Sequence, residues 1–487
     1  MSLSERVAVN APLLVISRIT SAAAGLVGVA VSTRYLGASA YGSLTIATLY
    51  ISLASVLTDA GLYIIAAREI AKHPEEEREI VANVFTLGLV LSAVILVVAF
   101  GSVQVIYSGT NDRLVRIGVA ILLVHLVASA PTGAMGAHLI ACQRAWWTMG
   151  AAALGSLASL ACVLFAAAQD LGFGAVAASY AVVAIVNPLI LLAVTGRTGR
   201  LSLAFDYGRW RDLIRWAVPS AGVLILGVVY LRADGVLLSL LRPHRDVALY
   251  GVAFKVVEVL LILPQYLMLT LFPAISRLQR DSERLAEIMQ KTQDSMQVVV
   301  VPLVIVGAGF AADVVDVLGG RDFGPSVLVL QLLMLGVGCW YFTSLFANAL
   351  VALNFQKRLL RYSGIVLVLN VVLNLALIPV LGVYGAAAAF VITEACGLVS
   401  VVLLYRGIAA APRPRGLRRL LVPAAGMALV PLALDPLLRG AVGPLPAAVF
   451  GGSIALLIYA GLLHAVGGVP GELLDAIQNL RARMIRP

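Results

Sequence analysis

Long apolar stretches decide what this chain can become. Roughly fourteen of them, each about 18 to 28 residues long, are separated by short gaps that hold most of the charge. A helix rises about 1.5 Å per residue, so about 20 apolar residues cross the ~30 Å hydrocarbon core of a bilayer. Lipid offers no hydrogen-bonding partner to the backbone, which makes helices the natural spanning element for such stretches. The expected fold is an all-α integral membrane protein with about 14 transmembrane helices. They lie near 11–33, 42–66, 81–101, 115–138, 149–168 and 174–195, then 213–240, 248–272, 293–312, 325–352, 362–380 and 384–405, with a final pair near 418–437 and 445–465. The first stretch lacks a small-residue cleavage site and is followed by further spans, so it reads as a retained helix.

The formal net charge of +10 would suggest nucleic acid in a soluble chain, but charged residues are 12% of this one and hydrophobic residues 61%. Its basic residues read instead as topology signals. With the N-terminus in the cytoplasm, the inner loops hold Arg68, Lys72 and Arg78, then Arg144, Arg197, Arg200, Arg209, Arg211 and Arg215. The bias continues through Arg277, Arg280, Arg284 and Lys291, Lys357, Arg358 and Arg361, and Arg406 to Arg419. Outer loops are poorer in Lys and Arg, which predicts an even number of spans and both termini inside. No nucleic-acid partner is expected.

Sliding the chain by about 210 residues exposes an internal repeat of the kind found in transporters. Gln143, an apolar helix and Leu171-Gly172-Phe173-Gly174-Ala175 parallel Gln356, another apolar helix and Leu381-Gly382-Val383-Tyr384-Gly385-Ala386. Tyr41-Gly42 likewise parallels Tyr250-Gly251. Six spans per copy preserve orientation, so the expectation is two pseudo-symmetric six-helix lobes, 1–210 and 211–410, around a central cavity. Residues 411–487 then form a final helix pair and a cytoplasmic amphipathic tail. A second amphipathic helix at the membrane surface is expected around Arg277 to Lys291.

Ionisable residues at membrane depth are costly and mark candidate sites. Arg18 lies in the first span, Arg232 and Asp234 in the seventh, and Lys255 and Glu258 in the eighth at a spacing that shares a helix face. Asp59 in the second span and Glu394 in the twelfth are further acids, and Arg34 and Arg242 close the outer ends of spans one and seven. Arg18, Arg34, Arg232, Arg242 and Lys255 are the candidate substrate contacts, because arginine clamps phosphate with a fixed fork of donors. Asp234, Glu258, Glu394 and Asp59 are the candidate ion-coupling acids. His125 is a weaker, lone titratable group. Structural roles compete at every one of these positions, an internal ion pair for Lys255 and Glu258 foremost.

Cys142, Cys162, Cys339 and Cys396 are scattered without metal-ligand spacing and read as buried spectators, so no metal site is predicted. There is no nucleotide-binding loop, and no His, Cys or Ser triad is apparent, so neither an ATPase nor a hydrolase is expected. No cofactor is predicted. Sodium, protons or the membrane potential are the candidate drivers.

Two runs of residues carry a family likeness. The first is Arg34-Tyr35-Leu36-Gly37, Tyr41-Gly42, Asp59, Gly61 and Arg68. The second is Arg232, Asp234, Leu238, Val247, Leu249-Tyr250-Gly251, Ala253 and Lys255, followed by Leu263-Pro264, Leu271-Phe272-Pro273 and Ser276. In these the chain resembles the polysaccharide flippase family of the multidrug/oligosaccharidyl-lipid/polysaccharide exporter superfamily, over about residues 10–405. The resemblance implies a multi-pass protein of the prokaryotic cell membrane that moves polyprenyl-pyrophosphate-linked oligosaccharide repeat units to the outer leaflet by alternating access. It implies lipid-linked oligosaccharide and membrane lipids as partners, with a polysaccharide polymerase or glycosyltransferases as candidate protein partners and a monomer as the functional unit. It also places Arg18 and Asp234 near the inter-lobe surface. The alternatives are a cation-coupled multidrug or small-molecule exporter of the same superfamily, which wants an acidic, aromatic pocket, and a membrane scaffold with no charged cavity.

Overall fold

A computed structural model describes residues 3–59, 61–195, 201–261, 263–279, 281–410, 412 and 417–467. The tail expected to be amphipathic, 471–487, and the linker residues Arg197 and Arg200 lie outside the described residues. All regular structure among those described is helical. The first half contains α1 (Leu3–Asp59), α2 (Leu62–Lys72), α3 (Glu77–Ile106), α4 (Arg113–Leu122), α5 (Val124–Ala141), α6 (Trp146–Ala168), α7 (Gly172–Thr195) and α8 (Tyr207–Leu241). The second continues with α9 (His244–Leu260), α10 (Leu263–Arg277), α11 (Ser282–Gly309), α12 (Ala311–Gly319), α13 (Ser326–Ala352), α14 (Gln356–Leu381), α15 (Val383–Arg406), α16 (Leu417–Val442) and α17 (Pro444–Ala465).

Twelve segments among the described residues are long and apolar enough to cross a membrane. Their outward faces carry large apolar side chains, such as Val97, Val98 and Val105 on α3 and Ile365, Val368 and Val372 on α14. Water tolerates such faces poorly and lipid welcomes them. The buried hydroxyls of Thr86 and Thr195 are satisfied within their own helices, donating to the Ala82 carbonyl at 2.8 Å and to that of Leu191 at 2.8 Å. The molecule is an all-α, multi-pass membrane protein.

Helix boundaries follow backbone chemistry. The Leu13–Lys72 candidate runs 60 residues, far longer than one crossing. It is broken at Gly37 (φ 73°, ψ 170°) and again at Gly61 (φ 73°), left-handed conformations that glycine adopts without a Cβ penalty. The fourth predicted span is likewise two helices, α4 and α5, and His125 Nδ1 lies 3.2 Å from the Leu122 carbonyl at their junction. The stretch around Arg277 to Lys291 departs from expectation. It is not a separate surface helix: α10 ends at Arg277, and after a short turn Asp281 caps the first turns of the long α11, its carboxylate accepting from the Arg284 N–H at 3.1 Å.

The chain forms two compact units, Met1–Gly251 and Val252–Pro487. In the first, α1 packs on α6 and α8, and α3 and α7 pack on α5. The segment before α8 is held by side chains of α3: Thr86 accepts from the Ala204 N–H and Asn83 from that of Asp206. Asp206 then caps α8 by accepting from the N–H groups of Gly208 and Arg209. Arg209 in turn reaches Glu76 at 2.9 Å and Glu79 at 3.3 Å. These bonds fasten α8 to the first unit.

In the second unit α13 packs on α15 and α14 on α15, while α16 and α17 form a hairpin against α11 and α12. Phe310, Met427, Val430, Ala455, Tyr459 and Leu463 make the core of that last contact. Arg439 of α16 ties it electrostatically to α12, lying 2.9 Å from Asp316 and 3.4 Å from the fully buried Asp313.

Candidate functional site

The first unit assembles its buried polar centre where the middle of α1 meets α8 and the start of α9. Close approach depends on missing side chains. A Cβ on Gly42 would stand 1.9 Å from the His244 carbonyl oxygen, one on Gly251 2.8 Å from the Thr45 methyl, and one on Gly235 2.8 Å from a Leu49 methyl. Small residues of this kind let membrane helices pack backbone to backbone. Tyr41-Gly42 and Tyr250-Gly251, matched in sequence as copies of one another, therefore serve the same contact in space.

Asp234 sits on α8 beneath this contact, with 2% of its surface exposed. The Tyr250 hydroxyl donates to its Oδ2 at 2.9 Å, linking α8 to α9. Arg232, half-buried, and Tyr230 lie within electrostatic reach of the same phenol. A carboxylate, a guanidinium and two phenols thus share one neighbourhood on α8 and the start of α9.

A second polar chain sits beside it. His244 at the start of α9 places Nδ1 3.0 Å from the Ser43 hydroxyl and Nε2 2.9 Å from Asp112. Sequence inspection found no such Ser, His and Asp arrangement, because its members lie on three separate segments. It is a fastening and not a nucleophile. Ser43 is 2% exposed and its hydroxyl is also within 3.3 Å of the Ser39 carbonyl, which leaves no approach for an acyl group.

The other candidates are dispersed. Arg18 is exposed on the first part of α1, and Arg34, also exposed, stands three residues before the Gly37 break. Sixteen helical residues put Arg18 and Arg34 about 24 Å apart, at opposite ends of one span. Asp59, half-buried at the end of α1, accepts the Tyr63 backbone N–H. Arg242 closes α8 and is paired with Asp246 at 2.9 Å. Lys255 and Glu258 are paired with each other at 2.9 Å, both partly exposed. Glu394, 1% exposed on α15, belongs with them to the second unit. Of the predicted set, the contacts within the first unit gather Arg232 and Asp234, and those within the second join Lys255 to Glu258. In sequence Tyr250 marks the repeat and the family likeness; its role as hydrogen-bond donor to Asp234 depends on the α8–α9 turn.

All of these residues except Glu394 fall inside a segment, 7–279, that matches the family model described as polysaccharide biosynthesis protein. The chain belongs to that family. Within it, residues of this chain are 28% identical over 205 positions to the probable flippase AglR of Haloferax volcanii, a match covering 40% of this chain and 42% of that protein. The chain thus aligns with less than half of that relative's length. Among solved structures, the fold is shared with the lipid II flippase MurJ in its inward closed conformation, at a TM-score of 0.76 and 11% identity over 93% of this chain and 99% of that one. Inward- and outward-facing multidrug resistance MATE transporters match at TM-scores of 0.63 and 0.52, each at 17% identity over 80% of this chain and 97% and 95% of theirs. This member of the polysaccharide biosynthesis family has the fold of the MurJ and MATE transporters.

Proposed function

We propose that this protein is a flippase for polyprenyl-pyrophosphate-linked oligosaccharide repeat units, carrying them from the cytoplasmic to the outer leaflet of a prokaryotic cell membrane by alternating access. The observation that carries the reading is the family match across α1 to α10, the segment that contains Arg18, Arg34, Arg232, Asp234 and Lys255. Arginine suits a pyrophosphate head group, while the polyprenyl tail stays in lipid. A relative described as a probable flippase, and the fold shared with a lipid II flippase, support a lipid-linked cargo.

In this reading Leu13–Lys72 crosses twice and α9–α10 add one crossing to the twelve candidates, giving fourteen spans with both termini in the cytoplasm. Two six-helix lobes and a trailing pair account for them. The repeat has a backbone counterpart that supports this: Gln143 and Asn354 have positive φ just before α6 and α14, and Gly172 and Gly382 have positive φ at the starts of α7 and α15. Asp234 is the first candidate for coupling to sodium, protons or the membrane potential, with Glu258, Glu394 and Asp59 behind it.

Purified protein in vesicles, loaded with fluorescent lipid-linked glycans of varied sugar composition, should accelerate their movement between leaflets. Efflux of cationic drugs without glycan translocation would favour the exporter reading instead.

A further inference from the structure

The connections that the charge bias places on the cytoplasmic side bring a second, unrelated constellation together. An acidic run leads into α3, in which Glu76 and Glu79 are taken by Arg209 and Glu75 lies 3.5 Å from His73. Glu77 turns the other way, and its carboxylate meets Nδ1 of His138 on α5. One turn further on, capping the C-terminus of α5, stands Cys142. An oxygen of Glu77, a ring nitrogen of His138 and the sulfur of Cys142 all lie within 4.8 Å of one another.

We infer that Glu77, His138 and Cys142 are three ligands of a site for a zinc-class divalent ion, which clamps the start of α3 to the end of α5. The donor set is the argument. One carboxylate oxygen, one imidazole nitrogen and one thiolate sulfur suit a borderline-soft ion, whereas magnesium and calcium take oxygen alone. Two of the ligands sit four residues apart, which puts both on one helix face. Tetrahedral bonds of about 2.0 to 2.3 Å need ligand atoms about 3.3 to 3.7 Å apart. The exposed Cys142 can close on the other two by turning, and the half-buried Glu77 carboxylate, now in contact with His138, can swing back to admit an ion, while His138 is held nine-tenths buried between the helices. The exposed side leaves the fourth position to water. The scattered cysteines suggested no metal because the third ligand comes from another helix.

The test uses full-length protein purified with a tag free of histidine and titrated with cobalt(II) and zinc. Wild type should bind about one ion per chain with a thiolate-to-cobalt charge-transfer band, displaced by zinc. Cys142→Ser should abolish the band, and His138→Gln or Glu77→Gln should weaken binding at least about tenfold. Independently of any variant, zinc should protect Cys142 from alkylation, and a chelator should restore labelling; mass spectrometry separates it from Cys162, Cys339 and Cys396. Absence of the band in wild type, its survival in Cys142→Ser, or alkylation of Cys142 unaffected by zinc would each overturn the site and leave Glu77 and His138 as a simple carboxylate–imidazole contact.

Discussion

Asp234 can be a structural acceptor or a carrier of charge, and its contact with Tyr250 allows the two to be separated. Asn keeps an acceptor for the phenol and removes the charge, so Asp234→Asn should fold normally while losing any response of glycan flux to imposed sodium, proton or electrical gradients. A response identical to wild type would return the carboxylate to a purely architectural role. Tyr250→Phe removes the donor and should lower stability by about 1.5 to 3 kcal/mol, the value of a hydrogen bond to a charged group, as read by thermal unfolding in detergent. Arg232→Ala makes the complementary test. Losing one charge-assisted contact to phosphate should weaken glycan transport roughly tenfold or more at unchanged abundance, and full transport at normal expression would remove Arg232 from the substrate path. The charges at these positions were legible from the sequence because lipid makes them conspicuous. Their partners were not, since the Tyr250 donor, the Asp112–His244–Ser43 chain and the Glu77–His138 contact each join segments that only the folded backbone brings together.

At the scale of helices, the glycine contacts rank the tolerance of individual positions. Gly42→Ala drives a methyl into the main chain of His244, where no side chain can yield, and should destabilise by about 1 to 3 kcal/mol, the usual range for overpacking. Gly101→Ala meets nothing within 4 Å on α3 and should be neutral or gain up to about 1 kcal/mol from helix propensity. Thermal unfolding of the two variants in the same detergent compares them directly, and equal effects would refute the close contact. The spans themselves were readable because twenty apolar residues have few other uses. Their interruptions were less so. Gly37 and Gly61 break one apolar run into pieces, whereas Gly101 leaves α3 continuous, and nothing in the identity of a glycine alone distinguishes the cases.

Taken as a whole, the molecule devotes its last two described helices to a docking contact that its charges reinforce. Arg439→Ala deletes the cation facing Asp313 and Asp316 and should loosen α16 and α17 by about 1 to 3 kcal/mol, between the value of an exposed pair and that of a sealed one. Faster proteolysis in the α15–α16 connection would report it, and pairing the change with Asp313→Asn should recover part of the loss. A cleavage rate equal to wild type would count the ion pair as incidental. The Lys255–Glu258 pair has a different reach. A charge carried across the whole membrane field gains or loses about 2.3 kcal/mol per 100 mV, but a cation and an anion fixed one turn apart on α9 travel together and sum to zero. Arg232 and Asp234, two residues apart on α8, nearly cancel in the same way. Gating currents from these four residues should therefore be close to nil, so that any electrical steering they contribute comes from a cation carried at Asp234, added to that of the anionic cargo.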